Sequence, residues 1–311
     1  MRAPHIFRRL HRFALPAALV VAAACETNPA HVAPFREAAM TDIAPAAAND
    51  IQLREVTLPS GVRLQYAESG HADGEPVIML HGYTDSWFSY SRVLPELAPK
   101  YRAISITQRG HGDSSRPGSY TGDDFAADVD AFMETLGIER ATVVGHSMGS
   151  FVAQTVAIRY PERVKKLVLI GSATVAGNEG VLGLRDAVQT LTDPVDYTFT
   201  YEFQASTIYH PVPQAFMDTV VSESLKLPAQ VWKDALDGLI ATENAARLGE
   251  IQAPTLVVWG DRDGIFPRAE QDALIAAIPN ATLTVYPETG HALHWERPRE
   301  FARELEKFVK E

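Results

Sequence analysis

The sequence predicts an α/β fold: a mostly parallel central sheet, helices on both faces, and a helical insertion late in the chain. Three observations predict it. From Ile51 onward, short apolar runs suited to buried parallel strands alternate with segments of helical spacing. That alternation breaks at Gly171 and resumes at Thr255, with helix-like sequence between. The run Gly145-His146-Ser147-Met148-Gly149 joins a buried-strand pattern to a helix-prone one, which puts a serine on a sharp strand-to-helix turn.

The elements follow in order. Val56-Thr57-Leu58 and Val62-Arg63-Leu64-Gln65-Tyr66 flank Pro59-Ser60-Gly61 and read as a hairpin. Pro76 to Leu80 is an apolar run fit for a buried strand, Trp87 to Leu97 has helical spacing, and Arg102 to Thr107 is a further strand. Asp123 to Leu136 carries a helical stripe of Phe125, Val129, Phe132, Met133 and Leu136. Ala141 to Val144 leads into the turn, Phe151 to Tyr160 out of it, and Val164 to Ile170 is the next strand. From 176 to 249 the pattern is helical, broken at Pro194, Pro211, Pro213 and Pro228. Strands return at Thr255 to Trp259 and Thr282 to Tyr286, and Arg297 to Lys310 closes the chain as a helix opened by Pro298. The expected organisation is therefore a core of 51–175 and 250–311 with a lid of 176–249.

The start of the chain reads as a targeting segment over residues 1–25. Arg2, Arg8, Arg9 and Arg12 give a positive start, and Phe13 to Ala24 is apolar but too short to span a bilayer as a helix. Ala22-Ala23-Ala24 supplies small residues for cleavage. Cys25 follows at once, a placement that resembles the lipidation site of a bacterial lipoprotein signal, with Ala22 where leucine is usual. The expectation is an exported protein with membrane attachment through lipidated Cys25. Residues 26–50, rich in Ala and Pro, read as a linker.

Composition narrows the chemistry. With 46% hydrophobic residues, 311 residues suffice for one large core. A net charge of −11 with no basic cluster past the N-terminus argues against a nucleic-acid partner, which needs concentrated Lys and Arg. A single cysteine excludes an intrachain disulfide and a cysteine metal site. No zinc-protease helix motif, carboxylate-rich calcium loop or glycine-rich nucleotide loop occurs, so neither metal nor cofactor is expected.

A serine hydroxyl needs a base to take its proton and a third group to orient that base. Two late segments supply both. Gly260-Asp261-Arg262-Asp263-Gly264 follows one strand and Gly290-His291-Ala292-Leu293-His294 follows the next. Both lie past C-terminal strand ends, where sites in open α/β sheets form. Spacing leaves Asp261 beside Asp263, and His294 beside His291, as candidates. The amide of Met148, opening a helix, suits a developing oxyanion.

Over roughly Leu53 to Lys310 the chain resembles the α/β-hydrolase family. The resemblance rests on four motifs in order: His81-Gly82-Tyr83, Gly110-His111-Gly112-Asp113-Ser114, the serine turn, and the Asp263 and His291 pair. It implies Ser147 as nucleophile, Asp263 as acid, because the family acid lies three residues after the strand-terminal glycine, and His291 as base, because it directly follows a glycine. It implies Tyr83 as the second oxyanion amide. His81, His111, Asp113 and His146 read as loop-fixing or packing residues, and His294 as packed beside Trp295. Trp87, Phe88, Met148, Trp232, Phe266, Leu293 and Trp295 are candidates to line an acyl pocket. The resemblance implies a serine hydrolase of a small-molecule ester or lactone. Ser147 argues against the aspartate-nucleophile dehalogenases and epoxide hydrolases. Perhydrolase, carbon–carbon bond hydrolase, aminopeptidase and acyltransferase chemistry use the same triad and stay open, as does a small-molecule-binding signalling protein with a retained triad.

Overall fold

The computed structural model describes residues 51–311. The expected signal segment, Cys25 and the linker lie outside the described residues.

Eight strands form one sheet in the order β1-β2-β4-β3-β5-β6-β7-β8. They are β1 (Gln52–Thr57), β2 (Arg63–Gly70), β3 (Glu75–Leu80), β4 (Tyr101–Ile106), β5 (Ala141–His146), β6 (Val164–Ile170), β7 (Thr255–Gly260) and β8 (Ala281–Tyr286). β1, β2 and β4 pair antiparallel; every pairing from β4 through β3 to β8 is parallel. The hairpin, the parallel run and the break after β6 are those the sequence predicts. β1, at one edge, carries Gln52, Arg54 and Glu55 facing solvent, which blunts an otherwise open ladder. β5, near the middle, is buried at every residue.

Helices cover both faces. α1 (Gly122–Thr135) and α2 (Met148–Arg159) pack on one, and the last helix packs on the other. α1 starts in a capping box: Thr121 Oγ1 accepts from the Asp124 amide, and Asp124 Oδ2 accepts from the Thr121 amide. The insertion between β6 and β7 holds α3 (Glu179–Val188), α4 (Tyr197–Ala205), α5 (Gln214–Leu225) and α6 (Ala229–Ile240). Its prolines act as starts: Pro213 and Pro228 sit immediately before α5 and α6. Beyond β7 come α7 (Arg268–Ala277), the single turn α8 (Leu293–Glu296) and α9 (Pro298–Lys310).

One expected element is corrected. Trp87 to Leu97 is two 3-10 turns, Trp87–Tyr90 and Leu94–Glu96, not an α-helix. Ser86 caps the first turn through Phe88 N, the bonds that follow run from residue i+3 to i, and Pro95 has no N–H to extend the second.

Candidate active site

Ser147 sits between the last residue of β5 and the first of α2, at φ 51° and ψ −120°. A non-glycine residue there is strained, and the surroundings hold it. Its amide donates to the Ile170 carbonyl at 3.0 Å, and its carbonyl accepts from the Ser150 amide at 2.8 Å and the Ser150 hydroxyl at 2.6 Å. The flanking glycines are required by contact. A Cβ on Gly145 would stand 2.2 Å from the Gly149 carbonyl oxygen, and one on Gly149 2.3 Å from that of Leu80.

His291 follows β8 and Asp263 follows β7. His291 Nδ1–H donates to Asp263 Oδ2 at 2.8 Å, and both side chains are essentially fully buried. Asp263 Oδ1 accepts from the amides of Ile265 at 2.8 Å and Phe266 at 3.0 Å, so the carboxylate is fixed at both oxygens. His291 Nε2 has no hydrogen-bond partner among the described residues, and His291 and Ser147 border the same cleft. That arrangement can take a proton from the serine hydroxyl while the carboxylate holds the ring's tautomer. Asp261 instead points to Arg262, at 3.7 Å.

The amides of Met148, at the N-terminal end of α2, and Tyr83, in the loop after β3, have no carbonyl partner among the described residues. They are free to receive an oxyanion. His81 ties the loops together: its Nε2 accepts from the Gln108 amide at 3.0 Å, and its Nδ1 bonds the Gly82 carbonyl at 2.8 Å. His111 bonds the Arg109 carbonyl and packs on His81 with rings 5.0 Å apart. Asp113 reaches the lid, pairing with Lys226 at 2.7 Å. His146 and His294 are buried with rings 4.5 Å apart, and His294 lies beside Trp295. Burial pushes His81 and His146 well below the usual imidazole range, His111 down to about 4 and His294 to about 3.

The cleft is small, about 40 Å³, and its walls differ. Val181, Leu184, Leu236, Leu239, Ile265 and Phe266 form an apolar wall; Asp85, His146, Gln204 and Thr207 form a polar one. Of the expected pocket residues, Phe266 and Trp295 line it. Trp87, Phe88, Met148, Trp232 and Leu293 do not. Phe88 stacks on Phe216 at 5.3 Å, and Trp87 packs against Phe88 and the far-face core. Trp232 lies behind Tyr83 and Phe203, Met148 is in the near-face core, and Leu293 is in the core on the other face of the sheet. A wider open depression along α9, between Arg303 and Glu311, shares no residue with the cleft.

Three contributors escaped sequence reasoning. Gln204 of α4 donates to Asp85 Oδ1 at 3.0 Å, Thr84 Oγ1 at 3.2 Å and Ser224 Oγ at 2.8 Å, tying the lid to the oxyanion loop. Glu296 accepts from the amides of Gly290, Tyr209 and His210, tying the His291 loop to the lid. Asp85 is buried, and desolvation lifts it to about 7. The signal for Asp85 was present, an acid in the loop after His81-Gly82; Gln204 and Glu296 sit in helices whose pattern says nothing about a site.

The alpha/beta hydrolase fold model matches residues 75–298. The chain belongs to this family. Among its relatives, a 2-hydroxy-6-oxononadienedioate/2-hydroxy-6-oxononatrienedioate hydrolase of Pseudomonas putida is 32% identical over 257 residues, covering 78% of this chain and 90% of that protein. Lipase 3 of a Moraxella species is 26% identical over 278 residues, covering 84% of this chain and 85% of the lipase. An esterase structure from Exiguobacterium antarcticum superposes with a TM-score of 0.73 at 22% identity, covering 83% of this chain and 99% of that one. The α/β-hydrolase assignment therefore identifies the chain as an enzyme of the serine-hydrolase type.

Proposed function

We propose that the protein hydrolyses uncharged carboxylic esters or lactones through an acyl-enzyme on Ser147. His291 Nε2 takes the serine proton as Oγ attacks the carbonyl carbon. The amides of Tyr83 and Met148 hold the oxyanion, and Asp263 stabilises the imidazolium. His291 returns the proton to the leaving alcohol, then activates water to release the acid. The observation that carries this reading is the 2.8 Å His291–Asp263 bond, with the opposite ring nitrogen unpartnered beside the serine.

The choice among substrates rests on charge. No Lys or Arg lines the cleft among the described residues, and Asp85 does. A dicarboxylate, as in the name of the Pseudomonas putida relative, would meet no countercharge there. Carbon–carbon bond hydrolysis is the second reading, favoured by the relatives at 30–32% identity that carry such names. Turnover of p-nitrophenyl butyrate by wild type but not Ser147→Ala supports the ester reading. Turnover of a 2-hydroxy-6-oxodienoate with inert esters would replace it.

We also propose that residues 1–25 direct export in a bacterial host and that Cys25 becomes a lipidated N-terminus. The pattern of arginines, apolar run and small residues before Cys25 supports this. Because one acyl chain binds a membrane only marginally, the mature protein is expected to carry two or more. Intact mass of the mature protein tests it: a chain still starting at Met1 would overturn export, and an unmodified Cys25 would overturn lipidation.

A further inference from the structure

The mechanism uses one acid, Asp263, yet a second buried carboxyl borders the same cleft. Asp85 is 3% exposed and belongs to the loop that carries the Tyr83 amide. Its oxygens accept from Gln204 Nε2 at 3.0 Å, from Ser89 Oγ at 3.2 Å and from the Gly82 backbone. A carboxylate offers about four lone-pair sites, so capacity remains for one more donor. Across Gly82 stands His146, 2% exposed. By strict geometry neither ring nitrogen has a hydrogen-bond partner among the described residues, although the ring N–H is directed loosely at the His291 backbone carbonyl.

The two groups converge. A Cβ on Gly82 would stand 2.8 Å from His146 Nδ1 and 3.1 Å from Asp85 Oδ2, so both groups border this glycine and a side chain there would crowd them. The loop is also strained. Thr84, β-branched and fully buried, holds φ 65°, and Gln204 and Ser224 of the lid fix its hydroxyl. A buried acid, an under-bonded imidazole and a strained loop beside them make a costly arrangement to keep on the polar side of the cleft.

We propose that Asp85 and His146 form a recognition niche for a hydroxyl group on the substrate, so that the preferred esters are hydroxylated. This rests on the ester-hydrolase reading. A hydroxyl donates to Asp85 and, in the tautomer that carries the His146 proton on Nδ1, accepts from that nitrogen. A carboxylate would be repelled by Asp85. An ammonium would place a fixed positive charge beside His291, whose ring must itself become positive during attack. A methyl would leave both polar groups buried and unpaired.

Matched esters differing by hydroxyl for methyl test this. One pair varies the alcohol, 2-hydroxyethyl butyrate against propyl butyrate. The other varies the acid, ethyl 3-hydroxybutyrate against ethyl 3-methylbutyrate. In wild type, the hydroxyl member of one pair is expected to have a kcat/KM at least about tenfold higher, since sites built for a hydroxyl reject its isostere strongly. The pair that responds says which side of the ester enters the niche. Asp85→Leu is expected to bring that ratio to about one, with Asp85→Asn, which keeps the shape, between the two. Turnover of all four esters without discrimination overturns the niche and leaves the esterase reading intact. A ratio unchanged in Asp85→Leu, or faster turnover of ethyl 3-aminobutyrate, also overturns the niche. No turnover of any ester overturns both. The wild-type ratios decide the matter even if Asp85→Leu does not fold.

Discussion

The serine turn and the lid border one cleft and are held by different means. Ser147 is fixed by backbone: a sheet-embedded amide, a helix start, and glycines whose Cβ positions are taken by carbonyl oxygens. The lid is tied to the core mostly by side chains, Gln204 on the oxyanion loop, Lys226 on Asp113, and Glu296 reaching up to Tyr209 and His210, with one backbone bond from the Ala292 amide to the Thr207 carbonyl at 2.9 Å. Backbone restraints tolerate no change and leave the chemistry constant. Side-chain ties can be exchanged one at a time, so pocket shape can vary over an unchanged nucleophile. Relatives named as lipases and as 2-hydroxy-6-oxononadienedioate/2-hydroxy-6-oxononatrienedioate hydrolases fit that division.

The largest effects are expected at the serine turn. Ser147→Ala and Asp263→Asn are each expected to lower kcat on p-nitrophenyl butyrate by about 10⁴-fold. Thermal melting should show Ser147→Ala still folded, because the backbone and not the hydroxyl builds the turn. Residual activity above a hundredth of wild type in Ser147→Ala would mean another nucleophile.

Acid comes next, and it acts on the core side. His81, His111, His146 and His294 all have folded-state pKa values below the ordinary 6.5, so the unfolded chain binds more protons below that pH. Their stabilisation is complete above pH 6.5 and is lost as pH falls toward the folded values. Asp85, raised to about 7, opposes them: protonation through pH 7 relieves a buried charge. The histidines outnumber it. A net loss of stability at pH 5.5 relative to pH 8 follows, read as a fall in Tm. A flat Tm across that range would show that these rings are not held neutral.

Cutting a lid tie is a smaller intervention. Gln204→Leu leaves Thr84, Asp85 and Ser224 without their shared donor and is expected to cost about 1–3 kcal/mol, read by urea unfolding. Its KM for esters should change while Ser147 stays reactive to a fluorophosphonate probe. If reactivity is lost with KM, the lid tie is part of the turn's own support and the division between the regions fails. The smallest change is on the apolar wall. Leu184→Ala is expected to raise kcat/KM for octanoate relative to butyrate esters by about tenfold, the value of one or two methylenes in a pocket.

The same division explains what the sequence revealed. Strands, the serine turn and the two late loops were legible because backbone constraints leave local signatures: glycines at fixed spacing, apolar runs, an acid or histidine just after a strand end. The lid's prolines read as breaks in a helical pattern, and Pro213 and Pro228 mark where its last two helices begin. The pocket was not legible. Trp232 and Phe88 look like ligand contacts by size, yet Trp232 packs beneath Tyr83 and Phe88 against Phe216. Gln204 meets Asp85 across 119 residues of chain, a pairing that no local pattern encodes. The 3-10 turns at Trp87–Tyr90 and Leu94–Glu96 were misread because apolar spacing alone does not weigh Ser86 and Pro95.

A cleft of about 40 Å³ has room for a few waters and for no ester of ordinary size. Entry of an ester therefore requires the lid to move, and where this shut form dominates at rest, substrate binds only the fraction of molecules whose lid stands open. Apparent affinity is the intrinsic value scaled by that fraction, so a lid open about one part in a hundred weakens every substrate about a hundredfold. Substrates long enough to brace α3 and α6 apart recover part of that loss on binding, whereas acetate esters cannot. Chain length would then be read twice, once as contact with the apolar wall and once as the occupancy of an open state.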